Sequence, residues 1–196
     1  MAIGPGTLVL VVGPSGAGKD TLIGIVRARL DGDPRYAFPR RLVTRTADPT
    51  LEDHHTLDEA AYADLVAAGR CALHWRAHDL GYALPASVDA DVAAGRTVVA
   101  NVSRAVVAAA ATKYASLVVA YIDAPLALRA ARIGARGRED PASATARAAR
   151  AVALPDAPHL RILNDGPPEA AAAVLLALIT GARPAAHAEP VADTAG

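Results

Sequence analysis

The sequence predicts an α/β fold, a doubly wound parallel sheet flanked by helices. Two observations lead there. Short β-branched apolar runs alternate along the chain with segments of helical period, and strands separated by helices pair in parallel. The first of these runs leads directly into a glycine-rich turn and then a helix. A length of 196 residues suits one such domain, taken as residues 1–181, with enough chain to bury a sizeable core.

The elements are read in order. Thr7–Val12 is a buried strand, Gly13–Asp20 a glycine-rich turn, and Thr21–Leu30 a helix stopped by Asp31-Gly32. From about residue 34 to 86 the apolar runs shorten and polar residues multiply, which reads as a lobe inserted into the main sheet. Within it Arg41–Thr44, Arg70–Trp75 and Leu80–Leu84 are short strands. Thr56-Leu57-Asp58-Glu59 reads as a capping box opening a helix that ends near Ala68, with Gly69 behind it. The α/β rhythm then returns. Ser87–Ala94, Ser103–Tyr114, Pro125–Arg136 and Ala142–Ala153 read as helices, and Thr97–Val102 and Leu117–Ile122 as buried strands. His159–Leu163 is the last strand and Pro168–Thr180 the last helix. Residues 182–196 have no periodicity and read as a disordered tail.

Composition excludes several classes. Twenty basic and twenty acidic residues cancel, which argues against nucleic acid or an anionic membrane as partner. A single Cys makes neither an intrachain disulfide nor a thiolate zinc site, and this points to the cytoplasm. No apolar run is long enough to span a bilayer, and residues 1–7 do not resemble a signal peptide. Arginine supplies 18 of the basic residues, and only Lys19 and Lys113 are lysine.

Lys19 stands in the most informative segment. Gly13-Pro14-Ser15-Gly16-Ala17-Gly18-Lys19 fits G-x-x-x-x-G-K between a strand and a helix, the context of a phosphate-cradling loop in a P-loop NTPase. Glycines let backbone N–H groups turn toward an anion, and the helix N-terminus adds a positive end. Lys19 supplies a slender charge for the β- and γ-phosphates of ATP. The residue after the lysine is Asp20, not the hydroxyl residue of the motif, and Thr21 comes one place later. Asp20 is the candidate Mg²⁺ ligand, since a carboxylate suits that hard ion. Residues 13–21 are thus the expected nucleotide site.

A switch GTPase needs a base-reading N-K-x-D, and neither Asn101-Val102-Ser103-Arg104 nor Asn164-Asp165-Gly166 supplies it. Motor and transport ATPases end a strand with a magnesium-binding Asp. Here Thr97–Val102 carries Asn101 instead, so that ligand is missing or replaced, for instance by Asp20. A small-molecule kinase fits better, with an acceptor lobe and a basic lid over about residues 134–147. Arg129, Arg132 and Arg136 share one helix face, Arg138 follows, and Arg147 and Arg150 lie on the next helix. Arg136, Arg138 and Arg147 are the candidate catalytic partners of Lys19, neutralising the transferring phosphoryl group.

GPSGAGKDTL at 13–22 resembles the ribose 1,5-bisphosphate phosphokinases of phosphonate catabolism, themselves similar to guanylate kinases. The likeness continues through Arg41-Leu42-Val43-Thr44-Arg45, Glu52-Asp53-His54 and His74-Trp75-Arg76-Ala77-His78, then Asn101-Val102-Ser103-Arg104, Arg136-Gly137-Arg138-Glu139 and Asn164-Asp165-Gly166. Where the family commonly reads Gly-Leu-x-Tyr-Gly, this chain has Asp79-Leu80-Gly81-Tyr82-Ala83. The resemblance implies ATP-dependent phosphorylation of ribose 1,5-bisphosphate to 5-phosphoribosyl 1-diphosphate and ADP, by a monomer or homodimer. Arg41, Arg45 and Arg76 are natural phosphate forks. Glu52 and Asp53 suit sugar hydroxyls, and His78, Tyr82 and Arg104 complete the expected acceptor site. Trp75, the sole tryptophan, reads first as core packing. Two alternatives stand beside this reading: a guanylate or other nucleoside monophosphate kinase, and a kinase-like binding module without catalysis.

Overall fold

The computed structural model describes residues 1–45, 54–77, 79–135 and 159–182. The expected lid with Arg136, Arg138, Arg147 and Arg150, the helix at 142–153, residues Glu52, Asp53 and His78, and nearly all of the expected tail lie outside them.

Among the described residues, nine strands form two sheets. The first comprises β1 (Thr7–Val12), β2 (Tyr36–Ala37), β7 (Thr97–Asn101), β8 (Leu117–Asp123) and β9 (Leu160–Leu163), in the order β2-β7-β1-β8-β9. The pairs β2/β7 and β8/β9 run parallel. Leu8 through Val12 are all buried, as strands covered on both faces require. The helices α1 (Lys19–Arg29), α3 (Ser87–Ala93), α4 (Val107–Lys113), α5 (Leu126–Gly134) and α6 (Pro168–Thr180) alternate with these strands. The α/β class and its parallel sheet are therefore as expected.

The second sheet holds β3 (Arg41–Val43), β4 (His54–Thr56), β5 (Cys71–Ala77) and β6 (Leu80–Pro85), in the order β4-β3-β6-β5. It is mixed: β3/β4 is parallel, while β3/β6 and β5/β6 are antiparallel. The helix α2 (Glu59–Ala67) follows β4. Tyr36–Ala37 lies inside the stretch read as an insertion yet pairs with β7, so the separate sheet begins only at Arg41.

The chain divides into two compact units, Met1–Leu10 with Gly32–Val118, and Val11–Asp31 with Val119–Gly196. The first contains the mixed sheet, α2, α3, α4 and a 3-10 turn at Arg104–Val106. The second contains the glycine-rich loop, α1, α5, β9 and α6.

Three local differences from the sequence reading have clear causes. The first helix starts at Lys19 rather than Thr21, because Gly18 takes a left-handed conformation (φ 90°) and lets the turn begin at once. The α2 cap is Asp58, whose carboxylate accepts from the Ala61 N–H at 2.7 Å; Thr56 instead ends β4. Ser103 caps the 3-10 turn before α4 and does not open one long helix.

Candidate active site

The second unit carries the loop. Gly13, Gly16 and Gly18 all have positive φ, which side chains disfavour. Space is equally restrictive at all three: a Cβ on Gly16 would lie 2.6 Å from the Arg129 carbonyl oxygen. A Cβ on Gly13 would lie 2.0 Å from the Ile122 carbonyl oxygen, and one on Gly18 would lie 2.4 Å from Asn164 Nδ2. The Lys19 ammonium donates to the carbonyls of Gly13 at 2.9 Å and Pro14 at 3.1 Å. These bonds fold the lysine back across the mouth of the loop, so its charge sits inside the ring of backbone. Asp20 follows in the first turn of α1, and its carboxylate is exposed. Thr21 is exposed beside it. Loop, helix end and ammonium together fit the anionic end of a nucleoside triphosphate, and the exposed Asp20 oxygens fit its Mg²⁺.

Asn164 is the residue that sequence reasoning missed. Its segment matched the family, but it received no role. In the structure it is 2% exposed. Its Nδ2 donates to the Ala17 carbonyl at 2.8 Å, its N–H donates to the Asp123 carbonyl at 2.8 Å, and its own carbonyl accepts from Arg132 Nη1 at 3.1 Å. It thereby pins the loop to the ends of β8 and β9. A buried polar residue at a strand end was the available signal, since buried amides are kept where they are hydrogen-bonded. Arg129, one helical turn from Arg132, donates from Nε to the Ala124 carbonyl.

Of the expected acceptor residues, the first unit carries Arg41, Arg45, Arg76, Tyr82 and Arg104 among the described residues, and the strand register separates Arg41 and Tyr82 from Arg76. Successive strand residues alternate in direction. Trp75 is in register with Tyr82, and Tyr82 with Val43, so these share a face with Arg41. The Arg41 guanidinium lies over the Tyr82 ring, 5.7 Å from its centroid. Arg76, next to Trp75, faces the other way. It pairs with Glu59 of α2 at 2.8 Å and lies 5.1 Å from the Tyr62 ring centroid. That pairing holds the Glu59 carboxyl below its ordinary range and raises Arg76. Tyr62 is buried, bonds the Trp75 carbonyl through its hydroxyl at 3.2 Å, and is pushed above the usual phenol range by burial.

Arg45 follows β3. Its Nε is buried and finds no hydrogen-bond acceptor among the described residues, an open donor suited to an anion. Arg104 occupies the 3-10 turn, and Asn101 is buried at the end of β7, where a magnesium-binding Asp would otherwise stand. The substitutions around Tyr82 also have a structural outcome. Asp79 retains a positive φ of 60° without a glycine, and Gly81 lies under the Tyr62 ring, which a Cβ would meet at 2.8 Å.

Fold and loop together define a P-loop kinase with a guanylate-kinase-like architecture. The crystal structure of guanylate kinase from Anaplasma phagocytophilum superposes with a TM-score of 0.64 at 14% identity, covering 92% of this chain and 88% of that one. No family model matches the chain. Ribose 1,5-bisphosphate phosphokinase from Methylobacterium radiotolerans is 54% identical over 173 residues, 88% of this chain and 97% of that protein. The protein of the same name from Rhodopseudomonas palustris is 51% identical over 182 residues, 93% and 92% of the two chains. A bifunctional ribose 1,5-bisphosphokinase-thymidine phosphorylase from Cupriavidus necator is 43% identical over 192 residues, 96% of this chain and 32% of that longer protein. This chain belongs to the ribose 1,5-bisphosphate phosphokinase family.

Proposed function

We propose that the chain transfers the γ-phosphoryl group of ATP to the C1 phosphate of ribose 1,5-bisphosphate, giving 5-phosphoribosyl 1-diphosphate and ADP. The 54% identity to a relative of that name, spanning 97% of it, carries the reading. The residues suit the chemistry independently. An oxygen of the C1 phosphate attacks the γ-phosphorus, a new P–O–P bridge forms, and the bond to the β-phosphate oxygen breaks as ADP leaves. A phosphate monoester is already ionised near neutral pH, its second pKa being about 6. No strong general base is needed, and catalysis is positioning plus neutralisation of charge.

In this reading residues 13–21 hold the triphosphate and Lys19 neutralises its terminal phosphates. Asn164 keeps the loop in its binding shape. Asp20 holds Mg²⁺, which would supply further charge neutralisation on the phosphates. Arg41, Arg45 and Arg104 are assigned to acceptor phosphates, with Tyr82 supporting Arg41. The assignment extends to Glu52, Asp53 and His78 for the acceptor, and to Arg136, Arg138 and Arg147 for the transferring group. Arg76, tied to Glu59 and Tyr62, is assigned to bracing α2 against the mixed sheet. The cytoplasm is the compartment that provides ATP and Mg²⁺ together.

The test is ADP release in the presence of ribose 1,5-bisphosphate, ribose 5-phosphate, GMP or AMP. Ribose 1,5-bisphosphate is expected to give the highest kcat/KM by at least tenfold. A higher value with GMP would reassign the chain to the nucleoside monophosphate kinases, and silence with all four would favour a binding module.

A further inference from the structure

The aromatic residues of the mixed sheet are arranged as a layered stack. Strand β6 lies between β3 and β5. From the β5 side the Trp75 ring stacks on Tyr82, with centroids 5.4 Å apart and planes inclined by 4°. From the β3 side the Arg41 guanidinium covers the same tyrosine. Both faces of Tyr82 are thus taken. Trp75 is itself only 7% exposed; it helps line a groove of about 650 Å³ beside α2 and the 3-10 turn. The other tyrosine of this sheet and its helix among the described residues, Tyr62, is buried on the opposite face, against Gly81 and beneath Arg76. Each of these three rings already faces another group of the protein.

A nucleobase is held by stacking on an aromatic or guanidinium face and by polar groups at its edge. Among the described residues, Tyr82 stands between Arg41 and Trp75 and Tyr62 lies beneath Arg76, so neither tyrosine offers an open face for that purpose. What the stack offers instead is a cation stiffened by an aromatic layer, suited to a phosphate. We propose that Trp75 is a specificity-determining residue: the Arg41–Tyr82–Trp75 stack closes the acceptor lobe to nucleobases and restricts it to base-free sugar phosphates. The inference deepens the proposed function and rests on it, since it presumes a sugar phosphate acceptor. Trp75 acts through shape, filling the space beside Tyr82 that a base would otherwise enter, and through Tyr82 it also fixes Arg41.

Two measurements test it. In the first, kcat/KM is determined for ribose 1,5-bisphosphate and for GMP in the wild type, Trp75→Leu and Tyr82→Leu. The ratio of GMP to ribose 1,5-bisphosphate is expected to rise at least tenfold in either variant, with a higher KM for the sugar phosphate. Parallel loss with an unchanged ratio would overturn the inference. The second needs no variant and covers the case in which these chains do not fold. Trp75 is the sole tryptophan, so its fluorescence is followed in the wild type during titration with each acceptor. A saturable change with ribose 1,5-bisphosphate and none with GMP at tenfold higher concentration is expected. A GMP response equal to or larger than the other, silence with both included, overturns the stack as a filter. Failure of the proposed function looks different: the wild type would then not turn over ribose 1,5-bisphosphate at all.

Discussion

Lys19 joins sequence to chemistry at the scale of one side chain. Its bonds to Gly13 and Pro14 hold a positive charge within the loop, where low dielectric makes it effective against developing negative charge. Lys19→Ala is expected to lower kcat/KM about 10³-fold, some 4 kcal/mol of transition-state stabilisation, with the thermal midpoint nearly unchanged. Steady-state kinetics beside a melting curve checks it. Asp20→Ala should shift the Mg²⁺ requirement upward while leaving the fold intact, and a magnesium titration of initial rate reads this directly. Asp79→Gly should relieve the left-handed backbone at φ 60° and stabilise the chain by about 1 kcal/mol. In calorimetry that is a rise of roughly 2–4 °C for a domain of this size. The loop was legible because its pattern is local and each residue type has one physical purpose. Asn164 was not, because its partner Ala17 lies 147 positions away and no short-range spacing reports such a contact.

Elements were legible where burial is strong and uniform. Thr7–Val12 and Pro168–Thr180 stand at the bounds the apolar pattern indicates. Short elements were not. β2 is two residues long and β4 three; His54–Thr56 becomes a strand because it pairs with Arg41–Val43, an interaction that its polar composition does not announce. The capping box failed for a related reason. Pairing with β3 claims Thr56 for the sheet, and Asp58 takes over the cap. Asp58→Ala should therefore cost about 1 kcal/mol, and Thr56→Ala much less, in paired urea denaturations. Between α3 and α4, Tyr114 donates to Asp89 at 2.5 Å, and Asp89 also pairs with Lys113 at 2.8 Å. Burial, then the bond to Asp89, pushes the Tyr114 phenol far above its ordinary range. The folded state therefore holds that proton more tightly than the unfolded chain, whose phenols ionise near pH ~10. This contribution is complete below about pH 10 and is lost as pH rises beyond it. Tyr114→Phe should flatten the alkaline fall of stability, measured as urea midpoints between neutral and strongly alkaline pH.

For the whole molecule, alternation of strands and helices was enough to reach a parallel sheet, because few other arrangements bury such strands on both faces. The mixed sheet was legible as a lobe but not in its pairing, since β3, β5 and β6 are set by cross-strand partners rather than by their own sequence. The same holds for the faces of that sheet. Arg41, Arg76 and Tyr82 read alike as acceptor residues, and only the register divides Arg41 and Tyr82 from Arg76. The even charge balance conceals a division of labour among the arginines. Some bind backbone carbonyls, as Arg129 and Arg132 do, and Arg41 rests on an aromatic ring. The two lysines also diverge: Lys19 closes the loop, whereas Lys113 ties Asp89 to the Ala72 carbonyl of β5 at 2.6 Å.

The central claim is that the phosphoryl group arrives on the C1 phosphate of a base-free ribose. Phosphorus NMR of a single incubation with ATP, Mg²⁺ and ribose 1,5-bisphosphate tests it most directly. The C1 phosphorus resonance is expected to be replaced by the two coupled signals of a diphosphate, while the C5 phosphomonoester signal persists and ADP accumulates in equal amount. A C5 diphosphate, or an unchanged sugar phosphate spectrum with active enzyme consuming ATP on another acceptor, would contradict it.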